Sequence, residues 1–130
     1  MTKACRYGTH RVISPAGTLP QPAYKLDNTM RIYENEVLID VKTLNIDSAS
    51  YTQIKNACNS DAEKMKQMIL SIVEERGKLQ NPVTGSGGML IGTVKEIGNE
   101  FPANRLKMGD RIATLVSLSL TPLKIYSIEK

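Results

Sequence analysis

The chain has 130 residues, of which 41 % are apolar and 23 % are charged, a balance typical of one folded globular domain and not of a disordered segment. Lys and Arg number 17 against 13 Asp and Glu, which leaves a net charge of +4. The basic residues form neither a run nor a stripe interleaved with aromatic side chains, so the sequence indicates no nucleic-acid partner.

The residue types that bind metals are too sparse for a zinc motif, since the chain holds only Cys5, Cys58 and His10 as Cys and His. We expect no metal site, two free thiols, and a structural hydrogen-bonding role for His10. The N-terminus lacks the apolar run of a signal peptide, and no stretch approaches the roughly 20 apolar residues of a membrane helix. These patterns predict a soluble, cytoplasmic protein with no membrane partner.

In chain order, the first predicted element is a short strand at 10–13, and a proline-rich extended segment follows it through residue 29. The alternation of apolar and polar residues over 36–43 predicts a half-buried strand. Ser50 and Gln53 have the spacing of a capping box, which predicts a short helix with Ser50 as its N-cap.

The strongest helical pattern covers 61–76, where apolar residues recur at i, i+3 and i+4 and Gly77 closes the helix. Beyond residue 82, three segments have the composition of strands, separated by turn-forming residues. These segments are 90–97, 111–118 and 124–129. Strands before and after a helical insert predict an α+β fold, mainly β, with helices at one end of a barrel or sandwich.

Five glycines fall within residues 85–98, and two phosphate-binding motifs nearly fit them. The dinucleotide fingerprint fails because Leu90 replaces its third glycine and strand-like sequence follows where a helix is required. The P-loop motif fails because Thr93 and Val94 replace the lysine and the hydroxyl residue that hold phosphate and Mg²⁺. We interpret the glycines as points of bending and close backbone approach within a sheet.

Three segments, at 36–54, 81–98 and 106–115, resemble in order the catalytic domain of medium-chain dehydrogenases/reductases, most closely in GTVKEIG and GDRI. The resemblance implies a GroES-like β-barrel that occupies 1–130, with the helix at about 61–76 inserted in it. It also implies a coenzyme-binding Rossmann domain that is absent from this chain. NAD would bind to that domain, so the chain by itself is expected to be inactive.

The superfamily positions that carry the Cys, His and Glu ligands of a catalytic zinc hold Asp47, Gly88 and Met89 here. The resemblance therefore implies zinc-independent chemistry. A narrower likeness covers nearly the whole chain and includes YGTHRVISPAGTLPQPAYKLDN and IATLVSLSLTPL. It is to NAD-dependent dehydrogenases of bacterial lysine fermentation, which implies oxidative deamination of a small 3,5-diamino acid to 5-amino-3-oxohexanoate.

The resemblance implies that the turn at 47–51 borders the cleft in which the superfamily holds its first zinc ligand. This position makes the side chains of the turn candidate catalytic residues. Asp47 would pair with a substrate ammonium group, while Ser48, Ser50 or Tyr51 would orient the substrate or relay a proton. A solvated turn explains Asp47 equally well. Helix capping is the interpretation we favour for Ser50.

Candidate substrate-binding residues lie in two further segments. Thr84 and Ser86 would donate hydrogen bonds to the ligand, although a turn-forming role explains them equally well. Arg11 would bind the substrate carboxylate through two parallel hydrogen bonds. Asp110 is expected to order its own turn and not to act as a base.

Two alternative functions remain open at this stage. One is a zinc-independent quinone or enone reductase, because members of the superfamily without zinc often reduce activated double bonds. The other is a non-catalytic barrel that binds or scaffolds a partner, which an exposed apolar face on helix 61–76 would support. An open sheet edge would favour a homodimer.

Overall fold

The computed structural model describes residues 4–102, 105–114 and 116–129, and within them the chain forms five strands, two α-helices and two short 3-10 helices. The strands are β1 Val12–Ser14, β2 Lys25–Leu26, β3 Val37–Ile46, β4 Gly88–Ile97 and β5 Arg111–Ala113; the α-helices are α1 Ser48–Ala57 and α2 Ala62–Arg76; the 3-10 helices are Thr9–Arg11 and Leu118–Leu120.

Strands β3 and β4 are the longest, at 10 residues each, and they form an antiparallel pair from Val37↔Ile97 to Ile46↔Gly88. Strand β5 pairs with the other edge of β4, which gives the sheet order β3-β4-β5. The strand predicted at 36–43 is confirmed and extends to Ile46. The strand predicted at 90–97 is confirmed and begins two residues earlier, at Gly88.

Two glycines of β4 allow β3 to approach it closely. A Cβ at Gly88 would overlap the carbonyl oxygen of Asn45, and a Cβ at Gly92 would lie 2.6 Å from the carbonyl oxygen of Asp40. The pairing register shifts between Val41 and Thr43, next to Gly92. The predicted role of these glycines in close backbone approach is confirmed.

Helix α2 confirms the helix predicted at 61–76, and both of its ends follow from local chemistry. The carboxylate of Asp61 accepts the N–H groups of Glu63 and Lys64 at 3.0 and 3.3 Å. At the other end, Gly77 adopts a left-handed φ of 69° and donates its N–H to the carbonyl of Val73 at 2.8 Å.

Helix α1 begins earlier than predicted, so the capping box is wrong. Its first residue is Ser48 and its N-cap is Asp47, which places Ser50 inside the first turn. Ser50 is fully buried, and its hydroxyl accepts a hydrogen bond from Asn81 of a distant loop. A tertiary contact therefore uses the side chain that the sequence pattern had assigned to local capping.

The hydrophobic core lies between the two helices and the inner face of the β3-β4-β5 sheet. Its buried members are Ile54, Cys58, Ile69, Ile72, Val73, Leu79, Leu90, Leu118 and Leu123. The apolar face of α2 is thus largely covered, with Met65 and Met68 packed against the core. This burial removes the exposed face that would have supported a scaffolding role. Both cysteines are free thiols, as predicted.

The fold is a mixed α/β domain with antiparallel sheets, and the described residues do not close into a GroES-like barrel. Strands β1 and β2 pair only with each other, separately from the β3-β4-β5 sheet. The strand predicted at 10–13 is wrong at its start, because Thr9–Arg11 forms a 3-10 helix.

The strands predicted near the C-terminus are largely wrong. The one at 111–118 ends at Ala113, and Ser117 instead caps the 3-10 helix by accepting the N–H of Ser119. Residue 115 lies outside the described part of the chain. Residues 124–129 have no strand partner in the described structure; they form an irregular segment that lines a cavity together with residues of β3. None of the described helices is both long and apolar enough to cross a bilayer.

Candidate functional site

The end of the β3–β4 pair brings together the two predicted groups of site residues. The N–H of Asp47, directly after β3, donates to the carbonyl of Gly87, directly before β4, at 2.9 Å. The first turn of α1 and the loop at 82–87 therefore lie side by side. We use the name rim for the candidate site residues that these two segments carry outside the buried layer: Asp47, Ser48, Tyr51, Thr84 and Ser86.

On the α1 side of the rim, Asp47, Ser48 and Tyr51 are exposed, with 48 % of the Tyr51 surface accessible. The Asp47 carboxylate caps no N–H group of α1. It is thus open to a cation from solvent. Both the catalytic role and the solvated-turn interpretation of Asp47 fit this geometry, and its role stays a prediction.

On the loop side, Thr84 and Ser86 form a hydroxyl pair. Their side-chain oxygens lie 2.7 Å apart, and the N–H of Ser86 also donates to Thr84 Oγ1 at 3.3 Å. The pair helps to shape the turn, and within it Thr84 is exposed while Ser86 is half-buried. It therefore serves the turn while retaining hydrogen-bonding capacity for a ligand, and its substrate-binding role stays a prediction.

Beneath the rim lies Asn81, a fully buried residue that the sequence analysis missed. Its Nδ2 donates to Ser50 Oγ at 3.2 Å and to Gln53 Oε1 at 2.9 Å, on the α1 side. Its Oδ1 accepts the N–H groups of Val83 and Thr84 at 2.8 and 3.3 Å, on the loop side. The Asn-Pro dipeptide at 81–82 was the available signal, because Asn side chains before a turn often bind the backbone that follows.

A second buried layer, formed by Lys78 and Gln80, supports the loop. Lys78 is fully buried, and its Nζ donates to the carbonyls of Pro20 and Gln21 at 2.8 and 3.2 Å. Burial, aided by the nearby positive charge of Arg76, lowers the pKa of Lys78 to about 8. The Gln80 amide donates to the carbonyls of Gln21 and Gly85 at 3.3 and 3.1 Å, which ties the loop to the segment around residue 21.

Arg11, predicted to bind a substrate carboxylate, is engaged within the protein. Its Nε and Nη2 donate to the two carboxylate oxygens of Glu36 at 2.9 and 2.7 Å. Its remaining N–H groups donate to the carbonyls of Asp27, Thr29 and Arg31 at 2.9 to 3.1 Å. All five donors are thus used, so a substrate carboxylate would have to displace Glu36 or a carbonyl. The binding role of Arg11 stays a prediction, and none of its contacts involves the rim.

His10 and Asp110 have the structural roles predicted for them. The His10 Nδ1 accepts the N–H of Cys5 at 2.9 Å, and its Nε2 lies 2.9 Å from a Glu36 oxygen. The Asp110 carboxylate accepts the N–H of Lys107 at 2.9 Å within its own turn.

Within the described ranges, no three His, Cys, Asp or Glu side chains are grouped so as to hold a metal ion. Of the three residues that the resemblance compares with zinc ligands, only Asp47 has a side-chain oxygen, because Gly88 has no side chain and Met89 carries only a thioether. The expectation of zinc-independent chemistry stays a prediction.

The described residues form a small mixed α/β domain, and the polar residues of the rim lie at one end of its antiparallel β3-β4-β5 sheet. The family model for the L-erythro-3,5-diaminohexanoate dehydrogenase N-terminal domain matches residues 10–130, and the chain belongs to this family.

Two curated relatives carry the same enzyme name. The L-erythro-3,5-diaminohexanoate dehydrogenase of Fusobacterium nucleatum is 65 % identical over 129 residues, which are 98 % of this chain and 37 % of the relative. The one from Acetoanaerobium sticklandii is 62 % identical over 127 residues, which are 97 % of this chain and 37 % of the relative. The chain thus spans little more than a third of the length of these relatives.

Proposed function

We propose that this domain is the N-terminal, substrate-side part of an NAD-dependent oxidative deaminase that acts on 3,5-diaminohexanoate. The observation that carries the proposal is the family match over 10–130, supported by two relatives named for a dehydrogenase of that diamino acid. In the overall reaction, the diamino acid, NAD⁺ and water give 5-amino-3-oxohexanoate, ammonium, NADH and a proton. NAD accepts the hydride from the carbon that bears the 3-amino group.

The glycine-rich segment at 85–98 lacks the structure of a dinucleotide-binding motif. The glycine-rich segment leads into strand β4, whereas a pyrophosphate site needs the N-terminus of a helix at that point. We therefore assign NAD binding, as part of the proposal, to the portion of the relatives that this chain does not cover, and we expect the chain alone to produce no NADH.

The rim carries groups that suit the ammonium groups of such a substrate. The substrate carries two ammonium groups, and the exposed carboxylate of Asp47 is suited to pair with one of them. The hydroxyls of Ser48, Tyr51, Thr84 and Ser86 would orient the amine-bearing carbon or relay the proton that the ammonium loses. Ser50 lies beneath these groups and would act through its bond to Asn81.

The experiment is an assay of NADH formation by the full-length enzyme that contains this domain, with 3,5-diaminohexanoate as substrate. We expect saturable, diamino-acid-dependent NAD reduction with release of one ammonium per NADH. An enzyme that is inert to the diamino acid but reduces enones or quinones would overturn the proposal.

A further inference from the structure

We propose that Asn81 is a positioning residue that fixes the first turn of α1 against the loop at 82–86 and so sets the geometry of the rim. This inference rests on the proposed function, because it assigns Asn81 to the substrate side of that reaction.

The bonding of Asn81 divides evenly between the two sides of the rim. Its Nδ2 reaches Ser50 and Gln53 of α1, 31 and 28 residues away in the chain. Its Oδ1 holds the backbone of Val83 and Thr84 in the loop. One buried amide therefore joins the two segments that carry the residues of the rim.

The backbone of Asn81 locks the same loop. Its N–H donates to the carbonyl of Ser86 at 2.8 Å, and its carbonyl accepts the N–H of Gly85 at 2.7 Å. Every polar atom of Asn81 is thus bonded, and its side chain is fully buried. A residue that only shaped the turn would need the loop-side bonds, whereas the bonds to α1 add a fixed distance between the two halves of the rim.

Loss of the Asn81 side chain should loosen the rim without removing the loop. The Gln80 amide still holds Gly85, and the N–H of Asp47 still binds Gly87. The rim would keep its residues but lose their relative position. Misplacement of about 1 Å at a reacting centre can lower catalysis about 100-fold, so a measurable kinetic effect is expected.

The test uses the full-length enzyme with three single substitutions. Asn81→Ala removes both sides of the bridge. Gln53→Met removes only the shorter bond on the α1 side and alters no residue of the rim. Asn28→Ala is the control, because Asn28 is a partly buried asparagine whose amide also donates to a distant group, the carbonyl of Leu123 at 2.8 Å, and has no hydrogen bond to the rim.

The kinetic readout separates positioning from stability. For Asn81→Ala we expect the KM for 3,5-diaminohexanoate to rise about tenfold or more, with a smaller rise for Gln53→Met and an unchanged KM for NAD in both. A merely structural role would lower the amount of active enzyme and leave both KM values unchanged. Unchanged diamino-acid KM values, or the same rise in Asn28→Ala, would overturn the proposal.

Hydrogen exchange supplies a readout that does not depend on activity. If Asn81 couples the two segments, Gln53→Met should accelerate exchange of the Val83 and Thr84 amides, although Gln53 contacts neither of them. Unaltered exchange at these amides would overturn the coupling. A wild-type enzyme inert to the diamino acid would refute the proposed function alone, and the exchange result would still decide the role of Asn81.

Discussion

Glu36 and Arg11 form a two-bond pair, with Nε and Nη2 of Arg11 at 2.9 and 2.7 Å from the two carboxylate oxygens. The pair joins the 3-10 helix at the start of the chain to the residue that precedes β3. Glu36 also accepts the N–H of Tyr33 at 2.7 Å and lies beside His10. Arg11 therefore holds the N-terminal segment against the residue that precedes β3, and this structural role does not require a substrate carboxylate.

The first prediction concerns the pH dependence of stability. The hydrogen bonds from Arg11, Tyr33 and His10 outweigh the cost of burial and lower the pKa of Glu36 from 4.5 to about 2. Because this folded-state pKa is depressed, ionised Glu36 contributes to the free energy of unfolding. That contribution is fully present above pH 4.5 and is lost as the pH falls towards 2. We expect the loss of about 3 kcal/mol over that window, measured by urea unfolding of the chain.

Glu36→Gln should remove most of this acid-side dependence and should destabilise the chain at pH 7, by about 3 kcal/mol, because it leaves Arg11 without its counter-charge. Asp40→Asn is the control, since Asp40 pairs with Lys42 on an exposed strand face and should change stability by less than about 0.5 kcal/mol. Equal acid sensitivity of wild type and Glu36→Gln would contradict this account of the pair.

The second prediction concerns Lys78, whose pKa is lowered from 10.5 to about 8 by burial and by Arg76. Between these two values the unfolded chain binds more protons than the folded one. The free energy of unfolding should therefore rise from this group as the pH increases from about 8 to 10.5. Lys78→Met should lack that rise. The measurement is the free energy of unfolding of wild type and variant, obtained from urea unfolding across this pH window. The change in their difference with pH is the contribution of Lys78. A constant difference would show that Lys78 titrates normally.

The third prediction concerns the glycines of β4. In Gly92→Ala, the new Cβ would lie 2.6 Å from the carbonyl oxygen of Asp40 and 2.8 Å from a side-chain carbon of Ile39, so β3 must move away. We expect a destabilisation of about 2 kcal/mol, in the range of overpacked cores. The measurement is thermal unfolding, and Gly17→Ala is the control. An added Cβ at Gly17 meets no heavy atom within 4 Å, so that variant adds only the strain of a left-handed backbone. A smaller effect at Gly92 than at Gly17 would contradict the close-approach interpretation.

The elements that the sequence predicted well depend on local patterns. Helix α2 has its own N-cap, Asp61, and its own C-terminal glycine, Gly77. The alternation in β3 and the glycines around β4 were enough to place both strands within a few residues. Periodicity and capping act over a few neighbours, so one segment contains all the information they need.

The features that sequence analysis missed depend on partners far along the chain. Ser50 bonds to Asn81, 31 residues away, so a capping pattern misplaced the start of α1. Arg11 is engaged by Glu36, 25 residues away, which no local pattern reveals. The segment at 124–129 has strand-like composition, yet a strand exists only where a ladder partner is available. Residues 111–118 likewise yielded only a three-residue strand.

The central claim is that the rim of this domain binds the diamino acid, and Asp47 tests it most directly. The measurement is kcat/KM for 3,5-diaminohexanoate in the full-length enzyme carrying Asp47→Asn, with Asp40→Asn as an exposed carboxylate control outside the rim. Loss of a charge-assisted bond to the substrate ammonium predicts a fall of about tenfold or more for Asp47→Asn and no change for the control. Equal kcat/KM values in wild type and Asp47→Asn would contradict the claim.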